Sequence, residues 1–242
     1  MLQNKEGTTI PDVSLRIRRG GQWETIQTGD YFAGRTVVVF ALPGAFTPTC
    51  STSHVPRYDS LVPTFKKHGV DEVICLSVND PFVMEAWQRD QGAERITFLA
   101  DGNGTLTDAL GMLVDKSGLN FGKRSWRYSM LVRDGVIEKH FVEAEVDGDP
   151  FDVSDADTML NSIAPGATLP PDILLFTKPF CGHCTRAKAA LTEAGLAFEE
   201  VVSTPRHLRA VSKTPTTPRV FINGELIGGA DELASWLLAN NG

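Results

Sequence analysis

The hydrophobic residues of this chain follow two spacings, and each spacing predicts a different kind of element. Short uninterrupted apolar runs have the length of buried strands, whereas apolar positions three and four residues apart have the period of a helix. In the first two thirds of the chain we predict strands 36–42, 72–78 and 96–100, helices 53–68 and 81–91, hairpin strands 128–133 and 136–143, and a helix over 154–163. This alternation predicts a mixed sheet with helices on its faces.

A second patterned region follows a break in the periodicity. Residues 161–172 follow neither spacing and contain three prolines, which is typical of a linker. Beyond it we predict strands 173–176, 198–202, 219–222 and 225–227, helices 184–194 and 206–212, and a last helix with Leu233, Trp236 and Leu237 facing inward. The pair Asn223-Gly224 is a strong hairpin signal between two of these strands. We therefore expect domains over 1–163 and 171–242, joined by a linker over 164–170.

Composition and charge exclude several classes of protein. Of 242 residues, 42% are hydrophobic and 22% are charged, which is typical of globular chains and unlike disordered, collagenous or disulfide-dense ones. The 23 basic and 30 acidic side chains give a net charge of −7, which disfavours nucleic acid and anionic membranes as partners. Residues 1–10 lack the apolar stretch of a signal peptide, and every apolar run is far too short to cross a bilayer. We expect a soluble, cytoplasmic protein.

The cysteines are too few for a disulfide scaffold, so their positions indicate their chemistry. Cys181 and Cys184 form a Cys-x-x-Cys pair where a strand ends and a helix begins. A thiol there lies beside unpaired backbone N–H groups and the positive end of the helix dipole, and it ionises easily. A zinc site would need a second such pair, which Cys50 and Cys75 do not supply, so we predict no metal site.

Cys50 has the same setting, between a predicted strand and a predicted helix, but no second cysteine nearby in the sequence. This placement indicates a lone activated thiol. Cys75 lies in the middle of an apolar strand, where a free cysteine usually behaves as a small hydrophobe. A structural role is the better interpretation for Cys75, and a resolving role is the alternative.

Residues 171–242 resemble glutaredoxins over their whole length. The resemblance rests on Thr177-Lys178-Pro179-Phe180-Cys181, Thr217-Pro218 and Gly228-Gly229-Ala230-Asp231. It implies a thioredoxin fold with strand–helix order βαβαββα, a catalytic pair Cys181 and Cys184, and no bound cofactor. Gly182-His183 stand where glutaredoxins commonly have Pro-Tyr or Pro-Phe.

The same resemblance implies a glutathione site. It makes Pro218 a cis-proline facing Cys181, and it gives Thr217 backbone hydrogen bonds to glutathione. Gly229, Ala230 and Asp231 would receive the γ-glutamyl end, and Lys178 would meet the glycyl carboxylate. Consecutive N–H groups at a helix start suit an anion, although Asp231 as a simple N-cap and Lys178 as an ordinary exposed lysine are the alternatives.

Residues 1–163 resemble peroxiredoxins of the atypical type 5 group. The motif Pro43-x-x-x-Thr47-x-x-Cys50 carries the resemblance, together with His54 and the run Arg124-Ser-Trp-Arg127. It implies that Cys50 is the peroxidatic cysteine, that Thr47 donates and accepts hydrogen bonds to the peroxide oxygens, that Pro43 shields the pocket, and that Arg127 stabilises the thiolate. His54, one turn beyond Cys50, either tunes the thiol or only packs.

The chain as a whole is thus predicted to be α/β, with two thioredoxin-fold domains joined by a short Pro-rich linker, and it resembles the bacterial hybrid peroxiredoxin–glutaredoxins. This resemblance implies a peroxidase for hydrogen peroxide and alkyl hydroperoxides, with glutathione as reducing cosubstrate, acting as a homodimer or homotetramer. Two alternatives stay open. One is a redox-signalling or holdase protein switched by peroxide, and the other is a dithiol oxidoreductase acting on protein disulfides.

Overall fold

A computed structural model describes residues 2–240. The chain divides into two compact units, Met1–Leu169 and Pro170–Gly242. Residues 164–172 carry no helix or strand. Along the described residues no helix is long and apolar enough to cross a membrane.

The first unit is built on a mixed sheet of order β5-β4-β3-β8-β9, in which β3, β4 and β5 are parallel and β8 and β9 are antiparallel to their neighbours. Its strands are β1 (Ser14–Arg19), β2 (Gln22–Gln27), β3 (Thr36–Leu42), β4 (Glu72–Ser77), β5 (Thr97–Ala100), β6 (Leu113–Asp115), β7 (Lys123–Ser125), β8 (Tyr128–Arg133) and β9 (Val136–Val142). Its α-helices are α1 (Thr28–Phe32), α2 (Val55–Lys67), α3 (Pro81–Gln91), α4 (Thr105–Ala109) and α5 (Ala156–Ile163). A 3-10 turn covers Ser117–Leu119.

Strand β3 lies at the centre of this sheet and is buried on both faces. Phe40 and its alternate neighbours pack with residues of α2, α3 and α5 in one hydrophobic core. Val39 and its alternate neighbours pack with β1 and α4 in another. This double burial explains why β3 is an uninterrupted apolar run. The loop after β3 is therefore attached to the most firmly held strand of the unit.

The elements of this unit differ from the sequence prediction at the helix after β3 and at the short elements that the prediction missed, which are β1, β2, α1, α4, β6 and β7. The predicted helix over 53–68 begins earlier, because Pro48 and Thr49 are already helical and a π-helical turn over Cys50–His54 precedes α2. The sequence prediction also missed the hairpin of β1 and β2. Strand β2 is almost entirely exposed and lacks the apolar alternation on which the prediction depended. Its turn residues Gly20 and Gly21 both have positive φ, and this Gly-Gly pair was the available signal.

The second unit has a mixed sheet of order β11-β10-β12-β13, with β10 and β11 parallel and the other pairs antiparallel. Its elements are β10 (Ile173–Thr177), α6 (Gly182–Glu193), β11 (Glu199–Val202), α7 (Pro205–Ser212), β12 (Arg219–Ile222), β13 (Glu225–Gly228) and α8 (Ala230–Asn240). Their order is the predicted βαβαββα. Leu233 and Leu237 of α8 are buried in the core of this unit, and Trp236 is partly buried against it. The thioredoxin fold expected for this unit is confirmed.

Candidate functional sites

Cys50 lies in the first turn of a helical segment that follows the central strand β3. The helical run begins at Pro48, where the missing N–H of proline costs no hydrogen bond. Cys50 is 0% exposed, and its side chain belongs to the core on one face of the sheet. The sulfur therefore sits near the unpaired N–H groups of a helix start, in surroundings from which bulk water is largely excluded.

Arg127 reaches Cys50 through sheet pairing. It directly precedes β8, whose Tyr128 pairs with Ala41 near the end of β3. The Arg127 Nη1 atom lies 3.4 Å from the Cys50 sulfur, and the residue is 1% exposed. A guanidinium keeps its charge in such a place, so the thiol faces a permanent positive charge. The sequence prediction paired these two residues, and the structure brings them into contact.

His54 contacts the same guanidinium nitrogen of Arg127 as the Cys50 sulfur does. Its Nδ1 lies 3.1 Å from Arg127 Nη1, and its Nε2 lies 3.2 Å from the Ser154 carbonyl oxygen. Because a carbonyl can only accept, Nε2 carries the hydrogen and Nδ1 accepts from the guanidinium. Both hydrogens of Nη1 are thereby engaged, one toward sulfur and one toward His54. His54 is thus a partner of Arg127 in addition to a packed ring.

The surroundings of His54 keep it neutral. Its ring lies within 4.8–5.4 Å of the rings of Phe40, Tyr58 and Phe151. Burial and the charge of Arg127 lower the pKa of His54 from its ordinary 6.5 to about 3, against the opposing hydrogen bond to Ser154. A neutral imidazole is what the hydrogen-bond pattern requires, since a protonated Nδ1 would point a hydrogen at Arg127.

Asp149 binds the other end of the guanidinium, accepting from Arg127 Nη2. Burial lowers the pKa of Arg127, but the nearby Cys50 sulfur and the Asp149 carboxylate outweigh it, and the pKa lies above its ordinary value. Sequence reasoning missed Asp149 and Ser154. Asp149 belongs to an irregular stretch without periodicity, Ser154 is only the first residue of the predicted helix over 154–163, and no motif of the first unit includes either residue.

The loop between β3 and Cys50 carries Pro43 and Thr47. Thr47 donates from its hydroxyl to the Gly44 carbonyl at 2.8 Å, so its own oxygen remains an acceptor for another donor. The hydrogen bonds expected between Thr47 and the peroxide oxygens stay a prediction. The loop is fixed to the neighbouring strand end through the Ala45 N–H, which donates to Asn79 Oδ1 at 3.0 Å. Pro43 is half-buried at the start of the loop.

Cys75 is fully buried in β4. Burial and the proximity of Cys50 raise the pKa of its thiol well above the ordinary value. Cys75 is therefore a neutral thiol within the core, which favours the structural interpretation.

The second unit places its cysteines at the start of α6. Cys181 and Cys184 form a disulfide, and Cys181 is the N-cap of the helix. The Cys184 N–H lies 3.2 Å from the Cys181 sulfur. The Thr217–Pro218 peptide bond is cis, and Thr217 Oγ1 lies 3.4 Å from the same sulfur. Lys178 is exposed and lines a depression beside Cys181.

The start of α8 has a different capping residue from the one considered above. The Gly229 N–H donates to Glu232 Oε2 at 2.7 Å, whereas Asp231 pairs with Arg186 at 2.6 Å. Backbone hydrogen bonds, its own and that of Gly229, lower the pKa of Glu232. Ala230 is buried as the first residue of the helix. The alternative in which Asp231 is a simple N-cap is therefore wrong.

The described part of the chain contains no group of three or more His, Cys, Asp and Glu side chains that could hold a metal ion.

Each of the two units matches a known protein family. A redoxin family model matches residues 5–160, and a glutaredoxin model matches residues 173–227. The hybrid peroxiredoxin hyPrx5 of Haemophilus influenzae is 52% identical over 239 residues, which cover 97% of this chain and 99% of that protein. The chain belongs to the hybrid peroxiredoxin family. It is accordingly a peroxiredoxin-type peroxidase that carries a fused glutaredoxin domain.

Two further relatives match the redoxin part of this hybrid peroxiredoxin. Peroxiredoxin sll1621 of Synechocystis is 52% identical over 171 residues, covering 67% of this chain and 90% of that protein. A crystal structure of reduced Prx3 from Vibrio vulnificus in complex with H2O2 superposes with a TM-score of 0.62 at 42% identity, covering 65% of this chain and 98% of that chain.

The buried neutral His54 generates a prediction about stability and pH. With a pKa of 6.5 in the unfolded chain and about 3 in the folded one, the unfolded state binds more protons as the pH falls below 6.5. The stabilisation is present above that pH and is lost on acidification. When the pH is lowered from about 7.5 to about 5.5, protonation of His54 in the unfolded state should by itself reduce the free energy of unfolding by about 1.4 kcal/mol.

The measurement is urea unfolding of wild type and His54→Gln at both pH values. Tryptophan fluorescence follows mainly the first unit, which contains Trp23, Trp87 and Trp126 of the four tryptophans. The His54→Gln variant should lose correspondingly less stability over this interval. An equal loss in both proteins would show that His54 does not carry this dependence. His140, whose pKa burial lowers to about 4, contributes equally to both proteins.

Proposed function

We propose that this hybrid peroxiredoxin is a glutathione-dependent peroxidase for hydrogen peroxide and alkyl hydroperoxides, with Cys50 as its peroxidatic cysteine. The observation that carries the proposal is the contact of 3.4 Å between the Arg127 guanidinium and the buried Cys50 sulfur. Displacement at an O–O bond needs a thiolate nucleophile and positive or N–H dipoles along the path of the charge. In this proposal the catalytic domain spans residues 1–163, a linker spans 164–170, and the glutaredoxin domain spans 171–242.

The first step is attack of the Cys50 thiolate on the terminal peroxide oxygen. An S–O bond forms, the O–O bond breaks, and the leaving alkoxide or hydroxide takes a proton to become an alcohol or water. The Thr47 oxygen, whose hydrogen is used on Gly44, is free to accept from the O–H of the peroxide. Arg127 stabilises the thiolate and the charge that develops, and Pro43 covers the loop side. Cys50 becomes a sulfenic acid.

The reduction steps use glutathione and the second unit. Glutathione condenses with the sulfenic acid, releasing water and leaving a mixed disulfide on Cys50. Cys181 then takes the glutathionyl group by thiol–disulfide exchange, and a second glutathione regenerates Cys181 and leaves as glutathione disulfide. Two glutathione molecules thus supply the two electrons that reduce the peroxide.

The proposed glutathione site in the second unit surrounds Cys181. It consists of Lys178 for the glycyl carboxylate, Thr217 with Pro218 for the backbone, and Gly229, Ala230 and Asp231 for the γ-glutamyl end. Support comes from the cis peptide before Pro218, from Thr217 Oγ1 at 3.4 Å from the Cys181 sulfur, and from the glutaredoxin match over 173–227.

The same proposal includes the cellular location, the oligomeric state and the partners of the protein. We expect a cytoplasmic homodimer or homotetramer that binds neither nucleic acid nor membranes. The net charge of −7 supports the absence of both polyanionic partners. No resident cofactor is required, because every electron in the cycle moves between sulfur and oxygen.

A second candidate function is dithiol reduction of protein disulfides. The disulfide between Cys181 and Cys184 favours it, because both cysteines would then take part in each turnover. The two candidates differ in their dependence on Cys184, since removal of glutathione from a mixed disulfide needs one thiolate only.

The first test is Cys50→Ser. Because Cys50 is the proposed attacking thiol, this variant should lose peroxide consumption completely, while its second unit still reduces a small glutathionyl disulfide. Cys75→Ala, the other buried free cysteine, is the control and should keep its turnover. A steady-state glutathione-coupled assay measures both. Peroxidase activity of Cys50→Ser above background would overturn the assignment.

The second test concerns Arg127. Loss of its charge and donors in Arg127→Ala should slow oxidation of Cys50 by roughly a hundredfold, and Arg127→Lys should be intermediate because lysine keeps the charge without the planar fork. Arg133→Ala removes an exposed arginine at the far end of β8 and should have no effect. Stopped-flow oxidation by hydrogen peroxide measures the rate. Equal rates for Arg127→Ala and Arg133→Ala would contradict the role.

The third test separates the proposed monothiol relay through Cys181 from a dithiol mechanism that uses Cys184 as well. Cys181→Ser should stop glutathione-dependent turnover, while one equivalent of peroxide should still oxidise Cys50. Cys184→Ser should keep much of the activity, because the relay through Cys181 needs no second thiol. If both variants prove inactive in the coupled assay, the dithiol mechanism replaces the monothiol one.

A further inference from the structure

The segment 149–154 contacts the Arg127–His54 pair through three of its residues. Asp149 accepts from Arg127 Nη2, and the Ser154 carbonyl accepts from His54 Nε2. The Phe151 ring lies 4.9 Å from the His54 ring and 5.6 Å from the Arg127 guanidinium. This segment contains no helix or strand, so the ladder of the sheet does not fix it.

A buried carboxylate accepts several hydrogen bonds from this segment, to which the Tyr58 hydroxyl also donates at 3.0 Å through the Ser154 carbonyl. Glu143 directly follows β9 and is 3% exposed. Its Oε1 accepts from the N–H groups of Asp152, Val153 and Ser154 at 2.9, 3.0 and 2.8 Å, and from the Ser154 hydroxyl at 2.7 Å. Hydrogen bonds to a charged acceptor are about twice as strong as neutral ones. Donors that converge on one oxygen fix the backbone of three successive residues.

The backbone of Glu143 is attached to the stretch that carries Arg127. Its N–H donates to the Arg127 carbonyl at 3.1 Å, and its carbonyl accepts from Trp126 Nε1 at 2.9 Å. The contacts therefore close a ring. Glu143 is fixed beside Arg127 by its main chain, and its side chain fixes the segment that returns to the Arg127 side chain.

We infer that Glu143 is a positioning residue for the peroxidatic site, acting through Asp149 and Ser154 on Arg127 and His54. This inference rests on the proposed role of Cys50. The hydrogen bonds of Glu143 go to Trp126, to the Arg127 main chain and to residues 152–154, and it contributes by limiting where the guanidinium can point. Nη1 must stay within reach of both sulfur and His54, and a guanidinium released at Nη2 would turn away from one of them.

The test is Glu143→Gln, which keeps the shape of the side chain and replaces its charge by a neutral amide. We expect oxidation of Cys50 by hydrogen peroxide to slow by about tenfold, the size of effect that weakening a hydrogen bond to a charged group produces. We also expect the pH midpoint for alkylation of Cys50 by iodoacetamide to rise by about half a unit or more. Peptide mass spectrometry separates Cys50 from the other three cysteines.

Glu72→Gln is the matched control. Glu72 is a largely buried glutamate of the same unit whose carboxylate accepts from Tyr31, Arg35 and Thr97. It begins β4, at the opposite end of the parallel strands from the Cys50 loop. Glu72→Gln should lower the melting temperature as Glu143→Gln does, without changing the rate or the midpoint. Equal changes in both variants, or unchanged Cys50 reactivity in Glu143→Gln, would overturn the inference.

A double mutant tests whether Glu143 acts through Arg127. On an Arg127→Ala background, Glu143→Gln should slow Cys50 oxidation no further, whereas independent effects would multiply. Multiplying effects would count against the inference.

If Glu143→Gln does not fold, Ser154→Ala takes its place, since it removes the hydroxyl donor to Oε1 at 2.7 Å. Ser154→Ala should slow Cys50 oxidation by less than Glu143→Gln does and should also raise the pH midpoint for alkylation. No change in the rate or in the midpoint would overturn the inference.

These outcomes are distinct from failure of the proposed function. If Cys50→Ser retains peroxidase turnover, the proposed function fails. If Cys50 is the peroxidatic thiol but reacts identically in wild type and Glu143→Gln, only the positioning role fails.

Discussion

The first unit depends on keeping a positive charge in a place that excludes water. Burial of an unpaired guanidinium is costly, and the cost falls only when hydrogen bonds and opposite charges replace the lost water. Arg127, at 1% exposure, has its two terminal nitrogens engaged by the Cys50 sulfur, His54 and Asp149. Its Nε finds no acceptor among the described residues, which makes the terminal contacts more important. Removing any one of them leaves a buried charge less well satisfied.

This constraint explains features of the surrounding sequence that packing alone does not. His54 sits among aromatic rings, and the resulting loss of hydration keeps it neutral and able to accept from the guanidinium. Glu143 is a buried carboxylate, and the donors to its side chain all come from the segment that returns to Arg127. Both residues are expensive to bury, and both are satisfied by the same network.

The two thiol sites of the chain both lie at the start of a helix, and they differ in exposure. Each cysteine lies at the start of a helix that follows a buried strand. Cys50 is in the first turn of its helix, and Cys181 is the N-cap of α6. Cys50 is fully buried beside a fixed cation, which suits a small, uncharged peroxide. Cys181 is partly exposed beside a disulfide partner, which suits a larger disulfide substrate. In the proposed function, the start of a helix thus serves two chemistries within one chain.

The sequence by itself determined the order of the elements in the second unit and of the longer ones in the first, the fold class of both units and the two cysteine motifs. These follow from local rules, because strand and helix periods, turn residues and short motifs lie within a few residues of each other. It also selected Arg127 and His54, although it left the role of His54 open. The exposed strand β2, the π-helical turn at Cys50 and the capping by Glu232 departed from the expected pattern.

Only the tertiary structure decided how the proposed peroxidatic site is held. Arg127 lies 77 positions from Cys50, and the pairing of β3 with β8 brings them together. Ser154 lies 100 positions from His54, at the start of a predicted helix whose pattern did not indicate this contact. Asp149 and Glu143 are ordinary surface-type residues by their sequence context, and their function depends on the atoms that folding places around them. A buried charge is satisfied by whatever donors and acceptors the packed chain brings within hydrogen-bond distance, and sequence spacing does not encode that distance.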